Sequence, residues 1–136
     1  MSVDEAPAVV GTPAGGGALV GLGRRLAEIP ALTEVLGRKS ATLAVADRGR
    51  TAAVAGLAAV STRRPIVVVV GTGAEAEVLG ADLRTWLGDE CVEVFPAWET
   101  LPFERVSPQI ETMGRRSRVA WRLRSPERRP DVVVTS

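Results

Sequence analysis

Phosphate chemistry would be sought first in the stretch Ala44-Val45-Ala46-Asp47-Arg48-Gly49-Arg50-Thr51. A working phosphate loop reads G-x-x-x-x-G-K-[ST]. Its glycines let backbone N–H groups converge on the anion, its lysine adds a compact charge, and its hydroxyl holds Mg2+. Gly49 and Thr51 match this pattern. Ala44 stands where the first glycine belongs, Arg50 where the lysine belongs, and Asp47 puts a carboxylate inside the would-be nest. The planar fork of arginine needs different room from an ammonium. Two readings follow: a repurposed nucleotide site, or a structural turn that keeps the shape and has lost the ligand. The second fits better, because aligned N–H groups serve an anion only without a competing one. On that reading the chain holds no cofactor and carries no catalytic residue.

Other chemistries are bounded by composition. The 136 residues include no His and one Cys, Cys91. That excludes a zinc site of the usual kind, a Ser-His-Asp or Cys-His set and an internal disulfide. A reducing cytoplasm is the expected compartment. Gly71-Thr72-Gly73 lacks the third glycine of a dinucleotide fingerprint, since Ala76 stands there, and reads as a turn plus helix cap. The run from Phe95 to Glu104 gathers Pro96, Pro102, Phe95, Trp98 and Phe103. Trp98 and Phe103 read either as an aromatic platform for a base or partner, or as a loop folded back into the core. The absence of Lys and Arg inside the run favours the core, because stacking on nucleic acid normally has electrostatic support.

Net charge is +1 but unevenly spread. Glu75 to Glu104 holds eight acids against Arg84 alone, and Arg105 to Pro130 holds eight arginines against Glu111 and Glu127. Such a switch marks two partner surfaces or, as readily, solvated and partly paired helix faces. Among the arginines, Arg115, Arg118 and Arg122 are best aligned to meet a phosphate track, which predicts weak, salt-sensitive contact with double-stranded DNA.

The elements that must position these groups are legible as periodicities. Residues 1–23, with Gly15-Gly16-Gly17, Pro7 and Pro13, read as a flexible leader, and residues 24–136 as one domain. Arg24–Leu36 has helical spacing, kinked by Pro30. Ala41–Ala46, Ile66–Val70, Val92–Phe95 and Asp131–Thr135 are β-branched, nearly continuous runs, as strands of a parallel sheet buried on both faces should be. The longest uninterrupted apolar run, Ile66–Val70, is far below the roughly 20 residues of a membrane span. Helices are predicted near 51–60, 74–87 and 108–123. The second is capped by Thr72 with Glu75, and the third by Ser107 with Pro108 at its first position. Ile110, Met113, Ala120 and Trp121 give the third helix its apolar side. Repeated strand–helix alternation means an α/β fold with a parallel sheet and right-handed crossovers. The sequence stops just after the last strand, which is expected to lie unprotected at the sheet's end, as in an incomplete domain of a longer protein.

The run FPAWETLPFERVSPQ, Phe95 to Gln109, together with the strand in RRPDVVVTS, resembles the signature of bacterial transcription-repair coupling factors (Mfd). The resemblance covers about residues 24 to 136 and is strongest from Val94 onward. It implies the first part of an amino-terminal module similar to the excision-repair protein UvrB, a helicase-like P-loop domain with a degenerate Walker A loop. An intact phosphate loop and a tyrosine-rich loop mark UvrB itself, whereas this chain has a broken loop and no tyrosine. For the whole protein the resemblance implies ATP-dependent, Mg2+-assisted translocation on DNA, release of stalled RNA polymerase and recruitment of the excision-repair protein UvrA. For this chain it implies a non-catalytic regulatory and interaction module. The competing reading is a free-standing nucleotide-binding α/β enzyme domain.

Overall fold

The computed structural model describes residues 19–26, 28–98 and 109–136. Gly15–Gly17, Phe103, Ser107 and Pro108 lie outside these residues. The described chain begins at Leu19, whose N–H donates to the Thr85 carbonyl at 2.9 Å. Helix α1 spans Leu22–Leu26, starting inside the stretch read as leader. Helix α2 spans Pro30–Val35. The single kinked helix expected over Arg24–Leu36 is thus two, and Pro30 opens the second, at the position where a missing N–H costs nothing.

From there the order is α3 (Arg50–Val60), β1 (Ile66–Val69), α4 (Gly73–Leu87), β2 (Val92–Phe95), α5 (Ile110–Arg124) and β3 (Val132–Thr135), with short 3-10 turns at Asp47–Gly49, Asp89–Cys91 and Pro126–Arg128. The fold is α/β, with flanking helices on a parallel sheet of order β1-β3-β2. Two expectations are corrected. Ala41–Ala46 makes no ladder, so the sheet of the described residues has three strands rather than four. β3 is the central strand, not an unprotected end, because the chain crosses outward from β1 to β2 and then returns between them. Apolar, β-capable sequence is not sufficient for a strand. Ala41–Ala46 runs beside the free edge of β1 without laddering onto it: a crevice lined by Leu43, Val45 and Val68–Val70 lies between them.

Register sorts the side chains into two layers. Ile66, Val132 and Val92 stand level, as do Val68, Val134 and Val94. Alternation turns these six to one face, where they form the core with Ala55 and Ala58 of α3 and Ala76 and Leu83 of α4. The opposite face carries Val67, Val133 and Glu93 level with one another, then Val69, Thr135 and Phe95. There α5 packs on β2, while Val67 and Val69 remain exposed.

Helix α4 shows why its boundaries are readable. The Thr72 hydroxyl accepts from the Glu75 N–H at 3.2 Å, and the Glu75 carboxylate accepts from the Gly71 N–H at 3.0 Å. Two otherwise orphaned donors are satisfied in this way. Gly88 ends the helix at a φ of 97°, a conformation that side chains resist. Gly80 lets α4 approach the sheet: a Cβ there would sit 2.4 Å from Val94 Cγ2. Among the described residues no helix is long and apolar enough to cross a membrane.

Gly80→Ala therefore forces α4 away from β2. Although alanine is the better helix former, overpacking of this kind costs about 1–3 kcal/mol, so urea unfolding is expected to show a lower midpoint. An unchanged or higher midpoint would mean that the helix–sheet spacing yields freely.

Candidate functional site

The stretch Ala44–Thr51 runs from irregular backbone at Ala44–Ala46 into the first two residues of α3. Asp47–Gly49 forms a 3-10 turn, and Gly49 caps α3 from the right-handed region (φ −91°, ψ −7°). Left-handed φ occurs among the described residues only at Gly21, Gly37 and Gly88. The turn Ala44–Thr51 therefore lacks the right-handed/left-handed alternation that aims successive N–H groups at one point. Arg50, at the lysine position, is bound by Asp47 at 2.9 Å. The adjoining 360 Å³ cleft has Asp47, Glu75 and Asp82 against Arg50, over an apolar floor of Val70, Val78 and Leu79. Phosphate would meet net negative charge there. Thr51 lines the same cleft, and Ala44 lies on the other side of the turn, facing Leu26 and Leu32.

The structure gathers the three aligned arginines of α5, Arg115, Arg118 and Arg122, along one side of the helix and gives each an intramolecular carboxylate. Arg115 meets Glu77 of α4 at 2.6 Å. Arg118 Nε and Arg122 Nη1 both donate to Glu93 Oε1, at 2.9 and 2.8 Å. Arg122 also donates from Nε to the Arg128 carbonyl at 2.8 Å and from Nη2 to the Glu90 carbonyl, and Glu90's carboxylate lies 3.4 Å away. Arg122 and Glu93 are both buried. Burial alone would push the Glu93 carboxyl up. Hydrogen bonds from Arg122 and Arg118, and their charges, outweigh that and hold it below the ordinary glutamate range.

This pairing decides which side of α5 is inside. The apolar side read from Ile110, Met113, Ala120 and Trp121 faces out: all four are exposed, and the buried residues of α5 are Thr112, Val119 and Arg122. Hydrophobic spacing fails here because a buried carboxylate on the sheet demands a guanidinium opposite it. The sequence does hold a signal, namely Glu93 alone among apolar residues in the run Val92–Phe95.

Trp98, at the carboxyl end of β2, is half exposed. Its ring and that of Phe95 both lie against the Arg116 guanidinium, at 4.3 and 4.0 Å. Arg116 also donates to the Pro96 carbonyl. Trp98 is thus a clamp on α5 rather than a core side chain, and Phe103 lies outside the described residues. Cys91 is pushed above its ordinary range by burial first, then by the Asp131 carboxylate, so the thiol is a poor nucleophile at neutral pH. Among the described residues no group of three or more His, Cys, Asp or Glu side chains is placed to hold a metal.

No family model matches the chain. Two curated relatives do, and both bear out the resemblance read from the sequence. They are the transcription-repair-coupling factors of Mycobacterium bovis and Mycobacterium tuberculosis, each 45% identical over 69 residues. The match covers 51% of this chain and only 6% of either relative.

A carboxyl held low in the folded state contributes stability that is present above its unfolded value and is lost as pH falls through the folded one. The pair at Glu93 therefore adds an acid-side loss of stability, below the ordinary glutamate range. Urea unfolding followed downward from pH 7 is expected to show this slope in the native chain and a flatter one in Glu93→Gln. Parallel slopes would remove Glu93 from the linkage.

Proposed function

We propose that this chain serves as a non-catalytic regulatory and interaction module of a transcription-repair coupling factor, with residues 24–136 forming a UvrB-like helicase-type subdomain. In this reading the whole protein releases RNA polymerase stalled at DNA lesions by ATP-dependent translocation on double-stranded DNA. It then recruits the excision-repair machinery through UvrA. ATP and Mg2+ would serve a motor whose residues this chain does not match. The name and identity of the mycobacterial relatives support the family part of the reading.

The turn Ala44–Thr51 carries the non-catalytic part. Three requirements of a phosphate site fail there together: left-handed backbone, a free cation and a field without carboxylates. Like charges a few ångströms apart in a partly desolvated cleft cost on the order of a few kcal/mol. DNA contact through Arg115, Arg118 and Arg122 would be weak and salt-sensitive, since Glu77, Glu90 and Glu93 already hold them.

Calorimetric titration of the full chain with Mg-ATP tests the reading, alongside Asp47→Gly combined with Arg50→Lys. No heat of binding is expected from the unmodified chain at micromolar protein. A micromolar dissociation constant would identify a working nucleotide site.

A further inference from the structure

The pairing of Arg122 with Glu93 leaves α5 with an uncovered apolar stripe. Ile110, Met113 and Trp121 are 87%, 43% and 52% exposed. With Gly114 and Ser117 they recur at steps of three and four and so share one side of the helix. Nothing lies within 4 Å of where a Cβ on Gly114 would point, so the middle of the stripe is open to close approach by another backbone. Large apolar side chains grouped on an otherwise charged helix are not needed for this fold, whose core lies on the other face of the sheet, and such groupings mark interaction surfaces.

Charge indicates what fits. Arg128 lies over the Trp121 ring at 5.2 Å. Arg124, Arg128 and Arg129 make no ion pair among the described residues, unlike Arg115, Arg118 and Arg122, and Glu127 is the one acid among them. The stripe therefore ends in an aromatic residue set among unpaired cations. A duplex would want cations along the whole track, and the Ile110–Met113–Gly114 half offers none.

We propose that the outward stripe of α5, Ile110, Met113 and Trp121, docks an amphipathic helix of a partner protein, one carrying acidic side chains beside its apolar anchors. Helix-on-helix packing suits anchors repeating every three and four residues. Trp121, aromatic and flanked by arginines, is the residue type on which such interfaces concentrate their energy. The proposal deepens the interaction-module reading and rests on it.

The test uses the full chain and two synthetic helical peptides of one pattern, leucine–glutamate and leucine–lysine. Binding is followed by calorimetry and by amide shifts of Met113, Ser117 and Trp121. The native chain is expected to bind the glutamate peptide at least about tenfold more tightly than the lysine peptide. Trp121→Ser should weaken that binding by about tenfold or more, and Arg124→Glu with Arg128→Glu should reverse the preference. These side chains are exposed, so unfolding midpoints should stay put. Val20→Ser, exposed ahead of α1, should change nothing. Binding of neither peptide, equal binding of both, or a preference indifferent to the arginine reversal overturns the proposal. So does self-association through Trp121, or duplex DNA in place of peptide as the Trp121-dependent ligand. An Mg-ATP heat in the same cell would sink the non-catalytic reading without touching the peptide result.

Discussion

A carboxylate buried in a sheet must be answered by a cation, and Glu93 is that constraint here. Its oxygen accepts from Arg122 and Arg118, and the other two nitrogens of Arg122 donate to the carbonyls of Glu90 and Arg128. One guanidinium thereby ties together the start of β2, helix α5 and the turn that leads into β3. Breaking a buried pair by removing one partner leaves an uncompensated charge, far costlier than losing a surface pair. The requirement fixes the rotation of α5 about its own axis. That rotation puts Val119 and Thr112 inside, Ile110, Met113 and Trp121 outside, and Arg116 between Phe95 and Trp98.

The two faces of the sheet are held by different physics. Toward α3 and α4 the contact is apolar and close, permitted by Ala55, Ala58, Ala76 and Gly80 against a layer of valines. Toward α5 it is ionic at β2 and open at β1, where Val67 and Val69 remain exposed. The cleft at the carboxyl end of β1, where α/β folds usually recognise ligands, is edged by carboxylates that already hold Arg50 and the Gly71 N–H. With Asp47, Glu75 and Asp82 against Arg50, the charge in that cleft opposes a phosphate group.

What can be read from sequence follows the range of the forces involved. β1, β2 and β3, and the helices α3 and α4, are legible because β-branched runs, a threonine cap with glutamate three residues on, and a stop glycine act within a few residues. Ala41–Ala46 has the same apolar character but makes no ladder with the free edge of β1 beside it, and a strand is defined by its pairing. The position of β3 between β1 and β2 depends on two crossovers, which no local pattern records. The buried face of α5 is not legible, because Arg115, Arg118 and Arg122, spaced for a phosphate track, are equally well spaced for carboxylates on the protein itself. Glu93 and Arg122 lie 29 residues apart, and only the isolation of one charge in an apolar strand hints at the other.

The most direct test of the claim that Glu93 and Arg122 set this arrangement is a double-mutant cycle, read by urea unfolding at neutral pH. It uses Glu93→Leu, Arg122→Leu and both together. Each single replacement is expected to cost about 3–5 kcal/mol, and the double should recover much of that, because two leucines bury well where one unpaired charge does not. Single replacements that cost under about 1 kcal/mol and simply add in the double would contradict the account.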